Sequence, residues 1–193
     1  MRNRNRITTA ALLALALAGA LGCVSSSGTT YVHPAADLGA IRKVAVLPFV
    51  TLGQDKTAGA KVERVFLVEL LALGVVEVVE PGQVSQLFTS EQLGAADTLS
   101  TADLQRIGQS LGAEGLFVGT VVDFEDKRLG TAPAPEVTIQ LRLVEVATGT
   151  TAWSSSESRS GARMKSRLLG FGGESLTEAA RELIREQLET LVR

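Results

Sequence analysis

The sequence contains one cysteine, Cys23, and one histidine, His33. A nucleophilic thiol or hydroxyl needs a neighbouring base, which is most often a histidine. His33 lies in a stretch rich in Ser, Gly, Thr, Pro and Ala, and no second histidine exists to complete a metal site with it. We therefore expect a solvated His33, no catalytic centre and no metal site, so the chain is not predicted to be an enzyme.

Two other motifs could carry chemistry. Asp123, Glu125 and Asp126 follow an apolar run, and they could bind a cation or act as an acid/base pair, although a solvated turn is the favoured interpretation. Residues 170–173 (GFGG) precede a helical pattern, where backbone amides can bind an anion. This motif lacks the Gly-Lys-Ser/Thr ending of a phosphate-binding loop and the preceding strand of a dinucleotide fingerprint, which favours an ordinary loop.

A basic and then apolar segment follows the last predicted strand. In an otherwise acidic protein it is the best candidate for contact with a protein partner. An equally good alternative is a solvated loop whose leucines pack under the last helix. The candidate contact residues are Arg159, Arg163, Lys165, Arg167, Leu168, Leu169 and Phe171.

Cys23 ends an N-terminal segment that is typical of a secretory signal. Three arginines come first, at positions 2, 4 and 6, and residues 7–22 form a weakly polar to apolar run that is too short to span a bilayer comfortably. The ending Ala20-Leu21-Gly22-Cys23 resembles the lipobox of bacterial lipoproteins, which are cleaved before a lipidated cysteine. The resemblance implies a covalent lipid on Cys23 and no other cofactor. Val24, in place of an aspartate, favours the outer membrane, with the protein facing the periplasm.

Composition limits the remaining functions. The formal net charge is −2, and removal of the three signal arginines makes the mature chain more acidic. Nucleic-acid binding needs clustered positive charge, so it is not expected. Aromatic residues make up 4% of the chain, which argues against a stacking platform for bases or sugars.

The pattern of apolar residues predicts three regions: a signal peptide (1–22), a flexible tether (23–40) and one domain (41–193). The domain is predicted to be α/β with α+β character. A βαβ unit comes first, with a strand at 41–50 that is buried on both faces, and helices follow it. Strands at 115–124, 137–146 and 150–158 form an antiparallel three-strand meander. Ser100 and Ser175 begin two capped helices, and the second packs on the sheet as the C-terminal helix.

Four short segments, taken in order, resemble a known family. They are residues 43–49 (KVAVLPF), 76–80 (VEVVE), 112–119 (GAEGLFVG) and 146–153 (VATGTTAW). Together they resemble the periplasmic domain shared by CsgG, LpoB, FlgO and the N-terminal part of TolB. CsgG-like pores use additional membrane-spanning hairpins, and the connection over 127–135 is too short for them. LpoB-like members are tethered activators of a cell-wall synthase, which suits a chain of this size better.

These observations predict a lipid-anchored, non-catalytic periplasmic adaptor or regulator of envelope assembly that acts by protein–protein contact. Its partners would be the membrane, through the lipid, and an envelope protein, with homo-oligomers also possible. One alternative is a subunit of an oligomeric secretion or transport complex at the outer membrane. Another is a periplasmic ligand-binding module.

Overall fold

The computed structural model describes residues 27–129, 132–160 and 175–192, which form one seven-stranded sheet with helices on both faces. The strands are Ser27–Val32 (β1), Lys43–Val46 (β2), Val50–Thr51 (β3), Glu77–Val78 (β4), Gly115–Leu129 (β5), Ala132–Glu145 (β6) and Thr151–Ser160 (β7). The helices are Ala58–Leu73 (α1), Pro81–Ser90 (α2), Thr101–Leu111 (α3) and Leu176–Leu191 (α4). The sheet order is β1-β7-β6-β5-β2-β4, and β3 pairs with β5.

The βαβ start is confirmed. β2 and β4 run parallel on either side of α1 in the sequence, and β2 also pairs in parallel with β5. Val44 and Val46 belong to the larger core under α1 and α4. Ala45 and Leu47 belong to a second core under α2 and α3. Because successive side chains of a strand point to opposite faces, the continuous apolar run fills both cores.

The antiparallel meander is also confirmed. β5 pairs with β6, and β6 pairs with β7, both in antiparallel register. Along β6, Val137, Ile139 and Leu141 are buried, whereas Gln140 between them is exposed. The turn between β6 and β7 contains Gly149, whose φ of 72° is a conformation that glycine adopts without strain. The α/β fold with α+β character is therefore observed as predicted.

Both predicted helix caps form. The Ser100 Oγ accepts a hydrogen bond from the Asp103 amide, and the Ser175 Oγ accepts one from the Glu178 amide. The helix that starts after Ser175 packs on the sheet, and the indole Nε1–H of Trp153 donates to its Thr190 Oγ1 over 3.1 Å. Trp153 is completely buried, so it is a core residue and not a ligand platform.

The tether is shorter than predicted. Residues 27–32 form β1, which pairs antiparallel with β7 from Ser27 opposite Ser158 to Val32 opposite Trp153. A turn follows, in which the Ala36 amide bonds the His33 carbonyl. The polar composition that suggested a tether is compatible with an edge strand, because only one side of β1 is paired within the described sheet. Any tether is therefore limited to the residues before Ser27.

Candidate protein-contact surface

An open apolar groove lies at the end of the sheet where β2 and β5 begin. Its volume is about 500 Å³, and Asp37 and Arg42 contribute the charged groups in its lining. We call it the end groove. Its apolar lining comes from the end of β1, the turn before β2, the connection from α1 to β4 and the last residues of α4: Val32, Leu38, Ile41, Val75, Val76, Leu191 and Val192.

The rim of the end groove exposes three valines. Val32 and Val75 are each 45% exposed, and Val192 is 51% exposed. Val68 and Leu71 on neighbouring α1 are also exposed. Large exposed apolar side chains are thus concentrated around one end of the described structure, and such patches usually mark contact sites.

The described chain meets the rest of the sequence at the opposite end. Ser27 pairs with Ser158, so residues 1–26 enter the domain near the end of β7. Helix α4 has 16 residues and is about 24 Å long, and the groove lies at its far end. The end groove and the point where α4 begins therefore lie at opposite ends of that helix.

Arg159 is held inside the protein. Its guanidinium donates to the Glu186 carboxylate over 2.6 Å and also pairs with Glu182. Burial lowers the pKa of Arg159, but the two carboxylates outweigh this effect and raise it. With only 11% of its side chain exposed, Arg159 joins β7 to α4. The other predicted contact residues lie outside the described residues, as does Cys23, and they stay predictions: Arg163, Lys165, Arg167, Leu168, Leu169 and Phe171.

The polar face of α4 makes ion pairs with β7 and α1. Glu182 and Glu186 bind Arg159, and Arg185 binds Glu69 of α1. Gln187, within the apolar stripe of α4, is completely buried, and its Nε2 donates to the Ile139 carbonyl over 3.0 Å. The sequence indicates the burial of Gln187 only through its position in the apolar stripe with Leu183 and Leu188.

The acidic residues near 123 occupy a strand and not a turn, because β5 continues to Leu129. Lys127 bridges Glu125 over 3.7 Å and Glu136 over 2.5 Å. His33 Nδ1 accepts a hydrogen bond from the Ala35 amide over 3.2 Å. Within residues 27–129, 132–160 and 175–192, no cluster of three or more metal-ligating side chains occurs, and no helix is long and apolar enough to cross a membrane.

Comparison with known proteins identifies the fold. No protein-family model and no curated protein matches the sequence. The PelC dodecamer from Paraburkholderia phytofirmans matches with a TM-score of 0.60 and 22% identity, over 86% of this chain and 97% of the PelC chain. This chain has a PelC-like fold. At this identity the likeness to PelC shows the fold alone.

Two further solved structures are similar. Lipoprotein GNA1162 from Neisseria meningitidis matches with a TM-score of 0.52 and 20% identity, over 75% of this chain and 99% of that one. The LpoB C-terminal domain from Escherichia coli matches with a TM-score of 0.44 and 20% identity, over 62% of this chain and 83% of that one. At this identity the likeness to GNA1162 likewise shows the fold alone.

Proposed function

We propose that this protein is a lipid-anchored, non-catalytic component of the outer membrane that faces the periplasm and acts in envelope assembly by protein–protein contact. The lipobox at Cys23 supports the anchor, and the fold shared with lipoprotein GNA1162 agrees with it. The pairing of Ser27 with Ser158 leaves four residues between lipid and domain, a reach of at most about 14 Å. The domain would therefore sit close to the membrane.

The observation that carries this proposal is the end groove. Its exposed valines lie at the opposite end of the sheet from Ser27, so a short N-terminal anchor presents the groove away from its own attachment point. An apolar segment of another polypeptide is the occupant that suits an open, apolar groove of about 500 Å³.

A subunit of an oligomeric secretion or transport complex is the second candidate. The PelC structure is a dodecamer, and PelC matches 86% of this chain at the level of fold. In this case the occupant of an apolar surface would be a second copy. The mass of the detergent-extracted protein, measured by light scattering with detergent subtracted, separates a ring from a monomer with a different partner.

The test of the contact uses a matched pair of charge substitutions. Val192 on the groove rim is 51% exposed, and Leu52 at the other end of the sheet is 60% exposed, so both positions tolerate an aspartate. We expect Val192→Asp to reduce the amount of co-purifying protein, or the mass of the oligomer, at least tenfold, whereas Leu52→Asp leaves both unchanged. A monomer without partners, or an unaffected Val192→Asp complex, would contradict the proposal.

The anchor needs its own experiment. We expect Cys23→Ser to move the protein from the membrane fraction to the soluble periplasmic fraction, because the substitution removes the predicted lipid attachment atom. Metabolic labelling with a radioactive fatty acid should mark the wild-type protein and leave Cys23→Ser unlabelled. Wild-type protein without label in the soluble fraction would refute lipidation.

A further inference from the structure

Strand β1 is attached to the sheet along one side and contributes little side-chain packing. It pairs with β7 alone within the described sheet, and residues 28–32 are all exposed. In the part of the chain that the structure describes, neither hydrophobic core includes a residue of this range. Because β1 is held mainly by exposed backbone hydrogen bonds, we expect it to open more readily than the strands that are paired on both sides.

The backbone groups of β1 alternate between its paired and its open side. The His33 amide donates to the Ala152 carbonyl over 2.8 Å, which makes these two residues a hydrogen-bonded pair of the antiparallel ladder. By the same alternation, the amides of Thr29 and Tyr31 face β7. These two amides therefore report whether β1 is attached.

A buried carboxyl lies against β1. Glu157 of β7 is 8% exposed and lies opposite Gly28. A Cβ atom at position 28 would be 2.6 Å from the Cγ, 2.9 Å from the Cδ and 3.0 Å from the Oε1 of Glu157, so this side chain rests on bare backbone. Its Oε2 is buried and has no hydrogen-bond partner among the described residues. A carboxylate in this position lacks the water and the donors that would stabilise its charge.

The charged groups around Glu157 come from β7 and α4. Arg159 lies on the same face of β7 and pairs with Glu182 and Glu186 of α4. Burial and the Glu186 carboxylate raise the pKa of Glu157, and Arg159 partly offsets them. The residue of β6 opposite Glu157 is apolar, and Tyr31, the titratable residue of β1, lies on the other face of the sheet. Ionisation of Glu157 therefore places a second carboxylate charge near Glu186, next to β1.

We propose that β1 is a pH-sensitive strand, which stays attached to β7 while Glu157 is protonated and detaches more often once Glu157 is ionised. Detachment lets water reach the carboxyl from the side that Gly28 covers, and the charged form gains more from this water than the neutral form does. The attached state holds the proton more tightly than the detached state, so attachment should weaken as pH rises from the ordinary value of 4.5 through the raised value.

Detachment would change the reach of the domain. The tether would grow from residues 23–26 to residues 23–32, so its greatest extension would rise from about 14 Å to about 35 Å. The sequence of β1, SGTTYV, is polar enough for a solvated linker. This consequence rests on the proposed lipid anchor, whereas the detachment itself does not.

Hydrogen exchange of the protein extracted from membranes in mild detergent tests the proposal. The measured quantities are the protection factors of the Thr29 and Tyr31 amides at pH 4 and pH 7, which are corrected for the pH dependence of intrinsic exchange. In the wild type we expect both to be at least fivefold lower at pH 7. In Glu157→Gln they should be equal at the two pH values. Glu80→Gln, at an exposed position before α2, is the matched control and should behave like the wild type.

A disulfide between β1 and β7 supplies a second readout. Thr30 lies opposite Ser155 in a pair without mutual backbone hydrogen bonds, where the two Cα atoms are close enough for a disulfide. The oxidised double variant Thr30→Cys, Ser155→Cys should keep Thr29 and Tyr31 protected at both pH values. Reduction should restore the pH dependence.

The alternative outcomes separate the two proposals. Protection of β1 equal to that of central β6 at both pH values would overturn the inference, as would a pH dependence that persists in Glu157→Gln. An equal fall at Ile139 and Leu141 of β6 would overturn it as well, because the whole domain would then be opening. A pH-dependent β1 in a protein without lipid on Cys23 would keep the inference and remove the proposed anchor. An anchored protein with an unresponsive β1 would do the reverse.

Discussion

Arg185 in α4 donates its Nε hydrogen to Oε2 of Glu69 in α1 over 2.6 Å. The Glu69 side chain is 7% exposed, whereas the Arg185 side chain is 60% exposed. Arg181 approaches the same carboxylate at 3.4 Å. The hydrogen bond that Arg185 donates to Glu69 raises the pKa of Arg185. The ion pair also links α4 to α1, and both helices pack on the same face of the sheet.

Removal of this arginine should weaken the protein. We expect Arg185→Ala to lower the free energy of unfolding by a measurable amount, because the buried Glu69 carboxylate loses its shortest charged hydrogen bond. The loss stays below that of a fully buried pair, since Arg185 is solvated and Arg181 remains. Urea unfolding followed by the fluorescence of Trp153, the one tryptophan of the chain, measures the change. Thr177→Ala, on the exposed face of α4, is the control, and a similar effect from both variants would contradict the prediction.

Gly108 in α3 lies directly against Val146. A Cβ atom at position 108 would be 2.3 Å from the Val146 Cγ2, which is too close for any side chain. Gly82 in α2 offers a contrast, because no atom lies within 4 Å of the Cβ that alanine would add there. The same substitution therefore meets opposite packing conditions at two helical positions.

The sign of the stability change should differ between these two glycines. Alanine favours a helix over glycine by about 0.8–1 kcal/mol, so Gly82→Ala should stabilise the protein by up to about that amount. Gly108→Ala should instead destabilise it by about 1–3 kcal/mol, because the core is overpacked. Combining Gly108→Ala with Val146→Ala should recover part of the loss in a double-mutant cycle. Additive effects in that cycle would show that Val146 is not the cause.

The central elements of the fold could be predicted because their signals are local or periodic. The apolar run of Val44 to Leu47 indicates a strand with two buried faces, and Ser100 and Ser175 indicate helix starts. β1 gives no such signal. Its sequence SGTTYV has no alternating apolar residues, and its order comes from pairing with β7, which is more than a hundred residues away.

The surface residues were harder to predict for the same reason. The end groove collects Val32, Leu38, Val76 and Val192 from four separate parts of the chain, so no single segment reveals it. Arg159 was expected at a partner contact, but β7 continues to Ser160. Successive side chains of a strand point to opposite faces of the sheet, so Arg159 lies on the same face of β7 as buried Trp153 and Glu157. Its side chain therefore faces α4.

Glu157 is a buried carboxyl at the joint between β1 and β7. It is 8% exposed and lies opposite Gly28, where an added Cβ would come within 2.6 Å of the Glu157 Cγ. Burial and the Glu186 carboxylate raise the pKa of Glu157, and Arg159 partly offsets them. Glu182 of α4 forms an ion pair with the same Arg159.

Glu157→Gln should stabilise the protein at neutral pH and have no stabilising effect in acid. Because folding raises the pKa of this carboxyl above its ordinary value of 4.5, the folded state holds the proton more tightly than the unfolded state does. The free energy of unfolding of the wild type should therefore fall as pH rises through the interval between the two pKa values, whereas glutamine carries no charge to bury. Urea unfolding at pH 4 and pH 7 measures the difference, with exposed Glu80→Gln as control. A gain of equal size at both pH values would show that the substitution acts through packing and not through the buried charge.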